Sequence, residues 1–115
     1  MRKSLTKAEI LRDRRDISRL FSGSHAFRTN GLHLRIVEND LGWSRVVFAA
    51  VRSFRTAVER NRSRRRVREA YRNIKERITG HYDIVFVMYP GDFSYAERYQ
   101  QVEKLLRRSG AIPDQ

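Results

Sequence analysis

The chain contains no cysteine, which excludes disulfides and thiolate metal sites and fits a reducing compartment. Acid is scarce beside base: 13 Asp and Glu face 25 Lys and Arg, for a formal net charge of +12. There are only two prolines and no Pro/Gly/Ser-rich linker, so one domain over residues 1–115 is expected. No run of about 18 apolar residues exists, which predicts no membrane-spanning helix. Nor is there the long cationic amphipathic helix with exposed aromatics that lies on a membrane. Residues 1–4, Met-Arg-Lys-Ser, are basic, but no apolar stretch follows as a secretory signal requires. A cytoplasmic protein is therefore expected. Hydrophobic residues make up 40% of the chain, too many for a disordered basic tail. The expectation is a folded domain with a basic surface and a polyanionic partner.

Residues that would support protein-borne hydrolysis are also lacking. A nuclease needs clustered carboxylates for metal, or a histidine acid/base pair. His25, His33 and His81 fall on different predicted elements without ligand spacing. Asp13 and Asp16 read as helix-start residues, Asp83 as a strand-edge residue and Asp92 as a turn former. No Ser/His/Asp arrangement or Gly-rich phosphate loop occurs. No catalytic residue and no metal or cofactor site is expected on the protein itself.

Hydrophobic periodicity lays out the elements. Leu5 and Ile10-Leu11 are isolated in a polar N-terminal arm, although Thr6 and Glu9 have capping-box spacing. A helix is predicted from Asp13, with Ile17, Leu20 and Phe21 on one face and Gly23 as its stop. Residues 32–37 alternate as a half-buried strand, 38–44 read as a turn, and 45–51 as a more apolar strand returning in a hairpin. A central helix is predicted over 58–78, ended by Gly80, and a buried strand over 82–89, broken by Pro90-Gly91. Ser94 and Glu97 form a capping-box pair opening a last helix, whose apolar face is Tyr95, Tyr99, Val102, Leu105 and Leu106. Interleaved short strands and helices predict an α+β fold, with helices packed on a small mixed sheet. Tyr71, Phe48, Phe86 and Trp43 are assigned to the core or its margin rather than to base platforms, while Tyr82 and Tyr89 stay open between the two roles.

Against that background one segment stands out. Residues 60–68, Arg-Asn-Arg-Ser-Arg-Arg-Arg-Val-Arg, hold six arginines in nine positions at the head of the central helix. Like charges three and four residues apart repel, and cations at a helix N-terminus oppose its dipole. On a helical wheel Ser63, Val67, Ala70, Tyr71, Ile74 and Ile78 form the sheet-facing stripe. Beside it runs an edge of Asn61, Arg64, Arg68, Arg72 and Lys75, with Arg62, Arg66 and Arg77 on the other flank. A merely solvated face mixes signs, but here Glu59, Glu69 and Glu76 are too few to neutralise it. Guanidinium is a planar fork donor matched to phosphate. No helix-turn-helix or dimeric frame for reading the DNA major groove is present, so shape-read RNA fits better.

The stretch from Arg52 through Arg55-Thr56-Ala57-Val58-Glu59-Arg60-Asn61-Arg62 to Arg68-Glu69-Ala70-Tyr71 resembles the signature of the bacterial ribonuclease P protein component. The segment 16–23 resembles that family's first helix, 83–89 its last strand, and the helix after Ser94 its closing helix. The resemblance implies the order α-β-β-β-α-β-α, a sheet of about four strands and a left-handed crossover around the central helix. It implies RNA binding by Arg52, Arg55, Arg60, Asn61, Arg62, Arg64, Arg65, Arg68 and Arg72. It also implies a cleft at Ile17, Phe21 and Arg35 for the single-stranded 5′ leader of precursor tRNA. The family often has aromatics where Ile17 stands and near Arg35, and a Gly-Asn pair where Arg55-Thr56 stands.

By the same resemblance, the protein supports tRNA 5′ maturation in a one-to-one ribonucleoprotein with ribonuclease P RNA. That RNA performs the cleavage and binds most of the Mg²⁺. Two readings compete with this one: a ribosomal-type structural RNA binder without a processing role, and a protein-only nuclease.

Overall fold

Asp13 opens the first helix as its residue type predicts, its Oδ1 accepting the Arg15 N–H at 2.8 Å. This helix, α1 (Arg14–Gly23), buries Leu20. The Thr6–Glu9 capping box forms too, but it closes only a single 3-10 turn, Lys7–Glu9. The computed structural model describes residues 4–23 and 25–113; the basic residues 1–3 lie outside the described residues.

After α1 come strands β1 (His25–Thr29), β2 (Leu32–Glu38) and β3 (Arg45–Ala50), helix α2 (Ala57–Ile74), strand β4 (Tyr82–Met88) and helix α3 (Tyr95–Arg108). The order α-β-β-β-α-β-α agrees with expectation. The four strands form one mixed sheet in the order β1-β2-β4-β3. β2 is antiparallel to β1 and β4, and β3 is parallel to β4.

The strand pairing corrects one expectation. The hairpin between the 32–37 and 45–51 segments does not form, because β4 lies between β2 and β3. β4 is almost continuously apolar and buried, so the centre of the sheet, covered on both faces, is where its side chains lose most water. The connection from β2 to β3 crosses the start of β4, where the Asn39 N–H donates to the His81 carbonyl at 3.0 Å. The strand that β2 does meet in a hairpin is β1, a largely exposed segment to which the periodicity assigned no element. Its signal was the Asn30-Gly31 dipeptide, a two-residue hairpin turn. Gly31 has φ +86°, and a Cβ there would stand 2.4 Å from the Phe93 ring.

The sheet separates two apolar clusters. On one face Leu32, Leu34, Ile36, Val46, Ile84, Phe86 and Met88 pack with Val67, Ala70, Tyr71 and Ile74 of α2 and Val102, Leu105 and Leu106 of α3. On the other, Val85 packs with Leu11 and Leu20, backed by Ile17, Val47, Ala49 and Val87. Leu11 is thus a buried residue, although it lies in the arm the sequence marks as polar.

The central helix begins at Ala57 with Thr56 Oγ1 accepting the Glu59 N–H at 3.1 Å, and it buries the expected stripe from Ser63 to Ile74 but not Ile78. It ends at Ile74, four residues before the predicted limit, and a 3-10 turn, Lys75–Arg77, follows. Ile78 is extended, and the next residue, Thr79, donates its N–H to Ala111 at 2.8 Å. A tertiary contact to the segment after α3 therefore replaces the last helical turn. The Ser94–Glu97 capping box forms in both halves. Tyr71 and Phe86 are buried and Phe48 packs against them at centroid distances near 6.0 Å. Trp43 does not join the core. It is 43% exposed, and its indole N–H donates to the Ala8 carbonyl at 2.8 Å, satisfying the ring's polar edge on the surface.

Candidate nucleic-acid interface

The arginines of α2 and its approach divide by what they touch. Arg60 Nη1 donates to the Phe54 carbonyl at 3.4 Å, Arg66 Nη1 to the Phe93 carbonyl at 2.6 Å, and Arg64 Nη2 to Asn61 Oδ1 at 2.7 Å. Arg72 pairs with Glu69 one turn away. Lys75 Nζ meets Glu9 Oε2 at 2.9 Å and the Ser4 carbonyl at the same distance. The remaining predicted residues, Arg52, Arg55, Arg62, Arg65 and Arg68, are exposed. Among the described residues, none of these five guanidinium groups meets a carboxylate. Five cations are therefore left pointing to solvent around the head of one helix, where their mutual repulsion and the helix dipole both favour an arriving anion.

Arg55 and Arg62 also share a cavity of about 400 Å³ with Arg66 and Arg98, walled by residues 90–93. Sequence reasoning missed Arg98, which occupies the buried stripe of α3 with 1% exposure. Its guanidinium donates to Ser63 Oγ and the Gly31 carbonyl at 2.8 Å, to Gln101 Oε1 at 2.9 Å and to the Tyr89 carbonyl at 3.5 Å. It also lies 4.4 Å from the Phe93 centroid. Burial, reinforced by Arg66, pulls its pKa down to about 10, so it stays charged at neutral pH and fastens α3 to α2 and to the β1–β2 turn. Small Ser63 on the stripe of α2 was the available hint that a long side chain fills the space opposite.

The predicted cleft residues meet on the opposite face of the sheet. Phe21 on α1 is 46% exposed, and the Arg35 guanidinium of β2 lies 5.6 Å from its ring centroid. Ile17 is half-buried against the second apolar cluster. A polar cluster holds α1 in place. Arg45 grips Asp83 through Nε and Nη2 at 2.8 and 2.7 Å, and its Nη1 lies 3.3 Å from Asp16 Oδ2 on α1. Asn39 Nδ2 completes the cluster on Asp83 Oδ1 at 2.9 Å. The hydrogen bond to Asp83 pushes the Arg45 pKa up. His33, read as an ordinary surface or core histidine, and Tyr89, left open, stand on this face too, with ring centroids 4.4 Å apart. The period-2 alternation of β2, which puts His33 with Arg35, was the signal for the first of them.

Among the described residues, no group of three or more His, Asp or Glu is placed to hold a metal ion. Nor is any helix among them long and apolar enough to cross a membrane.

Against known proteins, the family model for ribonuclease P matches residues 5–110. The chain belongs to the ribonuclease P protein family. The Pelotomaculum thermopropionicum ribonuclease P protein component is 32% identical, over 88% of this chain and 92% of its own length. That of Clostridioides difficile is 31% identical over 82% and 85%. The fold is similar to the Staphylococcus aureus RNase P protein, with TM-score 0.83 at 19% identity over 92% of this chain and 99% of that one. The Thermotoga maritima RNase P protein gives TM-score 0.77 at 26% identity over 87% and 96%. Family membership thus spans both features built above, the arginine-rich head of α2 and the α1 face of the sheet.

Proposed function

We propose that this chain is the protein subunit of a cytoplasmic ribonuclease P that matures the 5′ end of tRNA. In this reading it binds the catalytic RNA, one to one, through Arg52, Arg55, Arg62, Arg65 and Arg68. Arg60, Asn61, Arg64 and Arg72 shape the same surface. The observation that carries the reading is the group of five guanidiniums at one helix head that meet no carboxylate among the described residues. Fork donors so arranged match the phosphates of a folded RNA, and their charge lowers the repulsion between RNA helices that must approach one another. The single-stranded leader of precursor tRNA lies in the cleft of Ile17, Phe21 and Arg35, where a ring and a guanidinium plane offer stacking without sequence demand. In this reading the RNA would carry the chemistry, with Mg²⁺ held mainly by that RNA supplying Lewis-acid assistance, and this chain would hold and orient RNA and leader.

The test is reconstitution. Purified chain added to a bacterial ribonuclease P RNA at low Mg²⁺ should accelerate cleavage of precursor tRNA, since protein cations substitute for part of the metal's screening. Binding without acceleration would identify a structural RNA-binding protein instead. Mg²⁺-dependent cleavage by the chain with no RNA subunit would identify a protein-only nuclease.

A further inference from the structure

The face that carries α1 continues past Phe21 and Arg35. Two residues back along β2, roughly 7 Å by strand geometry, His33 projects on the same side as Arg35 and is paired across the ladder with Val87. Tyr89, two residues beyond Val87, shares that parity, and its ring tilts 45° against His33. Arg28 of β1 stands opposite His33 in the ladder. Both rings are half-buried, and neither belongs to the apolar clusters on the two sides of the sheet. The charges felt by His33 are both cationic, Arg28 and Arg35, and together with burial they hold its imidazole below the usual histidine range. At neutral pH it is therefore an uncharged plane, suited to stacking and bordered by two guanidinium groups.

The position of the pair matters as much as its chemistry. β3 and β4 run parallel, and the Val51 N–H donates to the Met88 carbonyl at 3.1 Å. Tyr89 thus stands at the end of the sheet where the chain leaves β3 and carries Arg52 and Arg55 to the head of α2.

We infer that His33 and Tyr89 form a second base-stacking step for single-stranded RNA, with Arg28 beside its phosphate, extending the Phe21–Arg35 cleft toward Arg52 and Arg55. The inference rests on the leader-cleft reading above. It makes the leader path and the catalytic-RNA surface neighbours, joined at the end of β3 and β4.

The experiment uses holoenzyme reconstituted with a bacterial ribonuclease P RNA and precursor tRNAs bearing oligouridine leaders of increasing length, with Kd as the readout. Phe21→Ala should weaken binding from the shortest leader that reaches the cleft. Tyr89→Leu keeps apolar volume but no ring, and should lose roughly tenfold only with leaders long enough to reach the second step. Tyr89→Phe should bind as wild type does. Independently of any variant, a scan of single abasic nucleotides through the leader should find two sensitive positions with the wild-type protein, and only one with Tyr89→Leu. One sensitive position in the wild type, or wild-type affinity in Tyr89→Leu at every leader length, overturns the second step. The cleft reading survives that outcome if Phe21→Ala still weakens binding. If leader length leaves wild-type affinity unchanged, the cleft reading fails and this inference with it.

Discussion

Replacing Arg62 and Arg65 together by alanine removes two exposed guanidiniums that touch no carboxylate among the described residues. Each phosphate that a protein neutralises contributes about 0.7 to 0.9 to the fall of log K with log salt. Losing two should flatten that slope by about 1.4 to 1.8. Between about 50 and 200 mM salt the wild type should then lose roughly tenfold more affinity than the double variant. Stability should hardly move. Exposed substitutions stay within about 0.5 kcal/mol, a Tm shift of at most about 4 °C for a chain of this size, and relief of like-charge repulsion acts in the stabilising direction. The assay is filter binding or anisotropy with ribonuclease P RNA across a KCl series, paired with a thermal melt. Lys104→Ala, an exposed charge on α3, controls for net charge. An unchanged slope in the double variant, or an equal flattening in Lys104→Ala, would refute a contact specific to the head of α2.

Arg98→Met should destabilise the fold by about 2 to 4 kcal/mol in urea unfolding, because the Gly31 and Tyr89 carbonyls and Ser63 lose a charged donor. A loss below about 1 kcal/mol would show that water replaces it freely. Acid should weaken the protein in two stages. Burial and the neighbouring Arg28 and Arg35 lower the His33 pKa, so the unfolded chain takes up its proton first, and stability falls as pH drops below the ordinary histidine range. His33→Gln should abolish that first stage. The carboxyls of Asp13, Glu97 and Glu103 are lowered by hydrogen bonds from the Arg15 and Ser94 backbone and the Arg77 side chain. Their contribution is present above the ordinary carboxylate range and is lost as pH falls through the lowered values. Urea midpoints measured from pH 8 to pH 3 would check both stages, and a flat profile would contradict them.

The helices were legible because their signals are local. Ser94–Glu97 closes its capping box from two residues three apart, and the α2 stripe from Ser63 to Ile74 follows from a 3.6-residue period. The candidate site was legible for a different reason: six arginines in nine residues are conspicuous wherever they fold. Sequence could not show how those arginines divide. Arg60 and Arg66 reach carbonyls while Arg62 and Arg65 reach solvent, because the same fork donor serves a backbone oxygen or a phosphate equally well. Strand pairing was misread for a comparable reason. The 45–51 segment is apolar enough to pair with either neighbour, and only the burial demand of β4 decided which.

Composition and periodicity, then, determined that this chain is a basic α+β protein with a cationic helix head and an aromatic on its first helix. Tertiary structure alone decided that β4 enters between β2 and β3, that Arg98 replaces an apolar residue in the α2–α3 seam, and that His33 meets Tyr89 beside Arg35. The division has one physical cause. A residue's helical or strand face depends on neighbours within a few positions, whereas burial, pairing and charge environment depend on residues brought together from 35 to 67 positions away.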